Sequence, residues 1–152
     1  MEKMPRDPEC IFCDIVHGEG DAHIVYQDDL VTAFLDINPV NPGHLLVIPN
    51  EHAASVQDVP DEVCERMFVI GRDLDKALRN TDLRSEAVNL YLADGRAAGQ
   101  AVFHAHLHVI PRYAGDSSGL NLHAEAPVRP SEEEFNEHAR KLTDAFQAVH
   151  EK

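Results

Sequence analysis

The segment FHAHLHVIPR, residues 103–112, sets histidines at 104, 106 and 108 with one apolar residue between each pair. Near neutral pH an imidazole serves as nucleophile, hydrogen-bond partner or metal ligand, and the backbone decides whether three can act together. On a helix, positions two apart lie about 200° around the axis and the rings diverge. On a strand, alternate residues share a face, so His104, His106 and His108 gather on one side while Ala105, Leu107 and Val109 pack on the other. The flanking Val109 and Ile110 and the terminating Pro111 agree with a strand. Such a face suits phosphate chemistry or a metal; a polar strand face turned to water is the alternative. A second group is the pair Cys10 and Cys13, two residues apart. It is open to a redox, a metal-binding or a packing role. No strand precedes it, which disfavours a thioredoxin-type pair, and a structural zinc needs four ligands, of which the pair supplies two.

The elements that position these groups follow from patterning. Residues 24–27 and 31–35 read as a hairpin around Asp28 and Asp29, and 44–48 as a third, buried strand after the punctuation of Pro39, Pro42 and Gly43. From Asp61, Val63, Met67, Ile70, Leu74 and Leu78 recur at three and four residues, an amphipathic helix of roughly five turns. AVNLYLAD, 87–94, gives a fourth strand, DGRAAGQ a glycine-bearing loop, and the histidine segment a fifth strand. Strands and helices do not alternate as in βαβ units. The expected class is α+β, an antiparallel sheet of about five strands with one long central helix and a C-terminal helix. Residues 114–130 read as a long loop, and Ser131 followed by Glu132, Glu133 and Glu134 as the capped start of a helix over 131–150. Cys64 lies beside the apolar stripe and reads as packing. His17, His23, His123, His138 and His150 read as surface or loop residues.

At 152 residues and 43% apolar composition, one domain over 1–152 is expected. The formal net charge of -14 disfavours nucleic acid and anionic membrane as partners. Three cysteines are too few for a disulfide scaffold. With neither a spanning segment nor a signal-peptide core, a cytoplasmic protein is the expectation.

The run HAHLHVI resembles the defining motif of the histidine triad (HIT) family of nucleotide-binding proteins. CIFCDI, AFLDINPVNPGHLLVIPNEH and AAGQAVFHAHLHVIPR extend the resemblance, in order and spacing, over about residues 9–113. It implies His106 as a nucleophile toward the α-phosphorus of a nucleotide, with His108 and His44 as phosphate-contacting partners. Asp36 would hold the ribose hydroxyls, and Phe12, Ile15, Phe34 and Ile37 would surround the base, core packing being the alternative for each. Gly99 and Gln100 would belong to the loop over the phosphate. It further implies a structural zinc on Cys10, Cys13, His52 and His104, and a homodimer. The implied activity is release of a nucleoside monophosphate, with AMP the expected one, from phosphoramidate or mixed-anhydride conjugates. A dinucleoside polyphosphate hydrolase or phosphorylase, and a nucleotide-binding scaffold with little turnover, are the alternatives. Ala93 and Ala101 depart from the family pattern, which often carries Asn and Ser or Thr there, so two polar groups near the phosphate are missing.

Overall fold

The computed structural model describes residues 6–116 and 129–150. Strands β1 (Ile24–Gln27), β2 (Val31–Leu35), β3 (Leu45–Pro49), β4 (Ala87–Tyr91) and β5 (Leu107–Arg112) form one sheet in the order β1-β2-β3-β5-β4. Every neighbouring pair is antiparallel. The first hairpin closes because Asp28 accepts the amides of both Leu30 and Val31 at 2.8 Å, holding the chain in its turn.

Helix α2 (Asp61–Arg79) buries the whole predicted stripe from Val63 to Leu78. That stripe packs on Ala33, Leu35, Leu45, Val47, Leu107 and Val109, one face of the sheet. Acidic residues open α2 and basic residues close it, complementing the helix dipole. Helix α3 (Glu132–His150) starts on a reciprocal cap: Ser131 Oγ accepts the Glu134 amide at 3.1 Å, and Glu134 Oε1 accepts the Ser131 amide at 3.0 Å. Its Phe135, Leu142 and Phe146 join the α2 core.

The opposite face carries a smaller core and a short helix absent from the sequence reading, α1 (Ile11–Val16). Phe12, Cys13, Ile15 and Val16 of α1 rest on Phe34, Leu46 and Ile48. Six residues are too few to show a helical period, so α1 is created by its packing and by the Cys10 Sγ that caps it.

Two expected boundaries move. The third strand runs one residue later, and β4 ends at Tyr91 rather than 94. The larger difference is β5, which pairs only from Leu107 onward, because the ladder to β3 stops at the Leu107–Val47 pair. Upstream, Ala105 N–H donates instead to the Ala53 carbonyl at 2.7 Å. Alternation nevertheless continues: Ala105 and Leu107 enter the α2 core, while His106 and His108 line a pocket on the other face. Of the loop expected over 114–130, residues 117–128 lie outside the described residues, as does His123. No helix among the described residues is long and apolar enough to cross a membrane.

Candidate functional site

Four side chains from three separate segments meet beneath α1. Cys10 Sγ lies 3.4 Å from His104 Nδ1, Cys13 Sγ lies 3.6 Å from the same atom, and Cys13 Sγ lies 3.3 Å from His52 Nδ1. Tetrahedral zinc with ordinary Zn–S and Zn–N bonds holds its sulfur and nitrogen ligands about 3.5 Å apart, so the donor set fits that ion. The tautomer fits as well: His104 Nε2–H donates to the Pro49 carbonyl at 2.8 Å, which leaves the Nδ1 lone pair for a metal. Burial pushes the Cys13 thiol up to about 11, so a cation is needed to hold it as thiolate at neutral pH. The sequence-predicted ligand set is therefore brought together completely.

His106 follows two residues on and is fixed by the same segment. Its Nδ1–H donates to the His104 carbonyl at 2.7 Å, leaving the Nε2 lone pair unprotonated. Burial holds its pKa below the ordinary histidine value, so the neutral ring prevails near pH 7. The edge of Phe12 packs against it with centroids 5.3 Å apart. An imidazole in that state is a competent nucleophile.

A chain of hydrogen bonds fixes the other two histidines. The Val40 amide donates to His44 Nδ1 at 3.0 Å, which places the His44 proton on Nε2. That proton is donated to His108 Nδ1 at 3.0 Å, so His108 carries its own proton on Nε2. His44 is 1% exposed, and burial first, then the neighbouring His108 and His106, push its pKa down to about 3. It stays neutral, so its 3.6 Å approach to Asp36 is no ion pair. Asp36, His44 and His108 are close enough to suggest a second metal site. The tautomer rules it out: the Nε2 of His44 that a metal would need already bears the proton.

The pocket in front of these residues has a volume of about 450 Å³. Its walls include Phe12, Ile15, Phe34, Asp36, Ile37, Gly99, His106 and His108, eight of the sequence-predicted residues. Asp36 Oδ1 accepts the Asn38 amide at 2.8 Å, and burial raises the carboxyl to about 6. Sequence reasoning missed Ile11, Asp14, Leu46, Val102 and the segment Gly20, Asp21 and Ala22. Ile11 and Asp14 belong to the unforeseen α1, and Leu46 is one alternate residue of a strand that is buried on both faces.

Of the predicted catalytic and nucleotide-contacting residues, Gln100 and His44 are the two that do not line the pocket. Gln100 is buried behind the loop, where its Oε1 accepts the Gly95 amide at 2.7 Å and its Nε2 donates to the carbonyls of Ala54 at 2.7 Å and Val102 at 3.0 Å. It shapes the loop, while Gly99 in the left-handed conformation (φ 95°) and Ala101 face the pocket. Ala93 is buried.

Of the remaining histidines, two have partners that patterning could not reveal. His150 Nδ1 lies 2.8 Å from Asp73 Oδ2, and its ring stacks on Phe146. His23 stacks on Phe135 with centroids 5.2 Å apart. Both fasten α3 to the rest of the fold. Cys64 packs against the main core, as expected.

Known proteins are similar to this chain in sequence and fold. The HIT domain family model matches residues 17–115. An uncharacterized HIT-like protein of Borreliella burgdorferi is 45% identical over 125 residues, covering 77% of this chain and 89% of its own length. The adenylylsulfatase HINT3 of Arabidopsis thaliana is 37% identical over 132 residues, 82% of this chain and 64% of that protein. Among solved structures, a Zn-bound histidine triad family protein from Mycobacterium smegmatis superposes with a TM-score of 0.80 at 36% identity, covering 94% of this chain and 96% of the other. Three histidines on one pocket-facing segment, the five-stranded antiparallel sheet behind them and these likenesses lead to one conclusion: the chain belongs to the HIT family.

Proposed function

We propose that this protein hydrolyses nucleotide conjugates, releasing a nucleoside monophosphate, AMP in the first instance, through a covalent intermediate on His106. The single observation that carries the reading is the hydrogen bond from His106 Nδ1–H to the His104 carbonyl, which leaves Nε2 as a free base on the pocket wall. Nε2 attacks the α-phosphorus, the bond from phosphorus to the leaving group breaks, and the leaving group takes a proton. His108, its proton on Nε2, is the group to supply that proton or to stabilise the phosphoryl charge. Water then attacks phosphorus, the N–P bond breaks, and the nucleotide leaves with the free imidazole restored. Phe12, Ile15, Phe34 and Ile37 take the base, Asp36 accepts the ribose hydroxyls, and the backbone beside Gly99 approaches the phosphate. Zinc, held by Cys10, Cys13, His52 and His104, supplies structure: four protein ligands leave no position for a reacting water.

The lining of the pocket bears on the leaving group. Among the described residues it contains the carboxylates of Asp14, Asp21 and Asp36 and no lysine or arginine, Arg6 pairing with Asp14 from outside the lining. A polyphosphate leaving group would meet the carboxylates of Asp21 and Asp36 without a cation beside them, whereas an amine leaves neutral or positive. Initial rates of AMP release should therefore favour adenosine 5′-phosphoramidate over diadenosine tetraphosphate by at least roughly tenfold in kcat/KM, about 1.4 kcal/mol. The reverse ranking would make the chain a dinucleoside polyphosphate hydrolase; no release from either, with AMP still bound, would make it a binding protein.

Asp36 gives this reading a pH signature. Its carboxyl titrates near 6 in the folded chain, and only the ionised form accepts two hydroxyl protons. AMP affinity should rise as pH climbs from 5 to 7, and an Asp36→Asn variant should bind weakly with no such rise. Titration calorimetry at three pH values checks this, and an unchanged slope in the variant would remove Asp36 from ribose recognition. Stability moves the other way. Between pH 4 and 6 the folded chain retains a proton that the unfolded chain has lost, so the contribution of Asp36 to stability falls as pH rises through that window.

A homodimer belongs to the same proposal. β4 is an edge strand with exposed Leu90, and exposed Phe68 and Val69 lie on the neighbouring α2. A second copy adding its own β4 would cover both.

A further inference from the structure

The register of the sheet gives the pocket a direction. His108 of β5 stands opposite Leu46 of β3, Leu46 opposite Phe34 of β2, and Phe34 opposite Ile24 of β1. His108, Leu46 and Phe34 all line the pocket, and so does Asp21, three residues ahead of Ile24. At about 4.8 Å per strand, the row from β5 to β1 spans about 14 Å. The reactive histidines hold one end of the slot, the apolar side chains its floor, and Asp21 the other end.

Three carboxylates line this slot, and two are occupied. Asp14 is ion-paired to Arg6 at 3.0 Å, and Asp36 accepts the Asn38 amide. Asp21 alone has no hydrogen-bond or ion-pair partner among the described residues. Its place is fixed by close packing beneath it: a Cβ on Gly20 would meet Ile15 Cγ1 and the Ile15 nitrogen at 3.1 Å each. The segment 18–22 therefore lies down on α1, and Gly18 (φ 75°) makes the turn that brings it there.

We propose that Asp21 selects the base by accepting a hydrogen bond from the 6-amino group of adenine. The inference rests on the nucleotide reading above. With phosphorus at His106 and the sugar at Asp36, the purine lies over Leu46 and Phe34 with its outer edge toward Asp21. A carboxylate there favours a base with an amino donor. It gains nothing from one with hydrogen at that position, and it repels a carbonyl oxygen. The apolar floor attracts any purine, so discrimination falls to this one acceptor.

The test is equilibrium binding of AMP and of purine riboside 5′-monophosphate, which lacks only the amino group, to the full-length wild-type chain and to Asp21→Ala. Because Asp21 is exposed and makes no side-chain hydrogen bond or ion pair within the described residues, the variant is expected to fold, which circular dichroism checks. Wild type should prefer AMP by about tenfold, and in the variant the two dissociation constants should agree within about twofold. An Asp21→Asn chain, which keeps an acceptor oxygen but loses the charge, should fall between. Equal binding of both nucleotides by wild type, or a preference that survives Asp21→Ala, overturns the role of Asp21 while leaving the nucleotide reading intact. Failure of wild type to bind either nucleotide overturns both.

Discussion

His106→Ala is expected to lose turnover by a factor on the order of 10⁴ or more, the scale seen when a covalent nucleophile is deleted, while AMP binding changes by less than about fivefold. The asymmetry follows from position. The base and ribose surfaces belong to α1, β2, β3 and the residues just after β2, and Phe12 meets the 106 ring only by its edge, the rest of its packing being on Phe34 and the smaller core. Loss of the imidazole removes the atom that forms the covalent bond and leaves the apolar slot in place. Trapping the nucleotidylated histidine by rapid alkaline denaturing quench, which spares the acid-labile N–P bond, followed by mass spectrometry gives the complementary readout: a nucleotidyl adduct on wild type and none on the variant. Turnover that persists in His106→Ala would exclude the covalent route, and a concurrent collapse of AMP binding would mean that the ring is a structural member of the pocket.

The second large effect concerns the metal knot. Purified protein should carry about one zinc per chain, and Cys13→Ser, or exhaustive chelation, should remove it. Loss of a buried four-ligand site is expected to cost several kcal/mol, which for a chain of this size lowers Tm by roughly 10 °C or more. The physical reason lies in the connectivity. Cys10 caps α1 and Cys13 lies within it, His52 precedes Ala53, and His104 precedes Ala105, whose amide bonds to the Ala53 carbonyl. Without the ion, two thiols and two imidazoles are left to satisfy one another in a buried space. His104 also accepts the proton of His106 through its carbonyl, so relaxation of the knot disorients the nucleophile; kcat should fall more than AMP affinity. Zinc-free protein with an undiminished Tm would show that the four residues are packing only.

Much of this architecture was legible in the sequence because it rests on local patterns. Period-two alternation in 103–112 reports a shared face even where the ladder is absent, since alternation is a property of extended backbone and not of pairing. The stripe from Val63 to Leu78 predicts α2 and its buried side together. What stayed hidden depends on contacts between distant segments. The Val40 amide sets the proton of His44 and thereby that of His108, and nothing in the type or spacing of Val40 announces it. Gln100 matches the phosphate loop by position, yet its amide group is turned inward to three main-chain partners. Histidines 23 and 150 looked unpartnered because Phe135 and Asp73 lie far from them in the chain.

The arrangement of the loop divides labour between neighbours. Gln100 commits its whole amide group to the backbone of residues 54, 95 and 102, so the curve of the loop is set without help from residue 101. Ala101 in turn touches the pocket and carries no part of that scaffold. Descendants of this chain can exchange the side chain at 101, and with it the polarity of the pocket wall, while the curve itself is inherited unchanged. Shape and chemistry here are free to evolve separately.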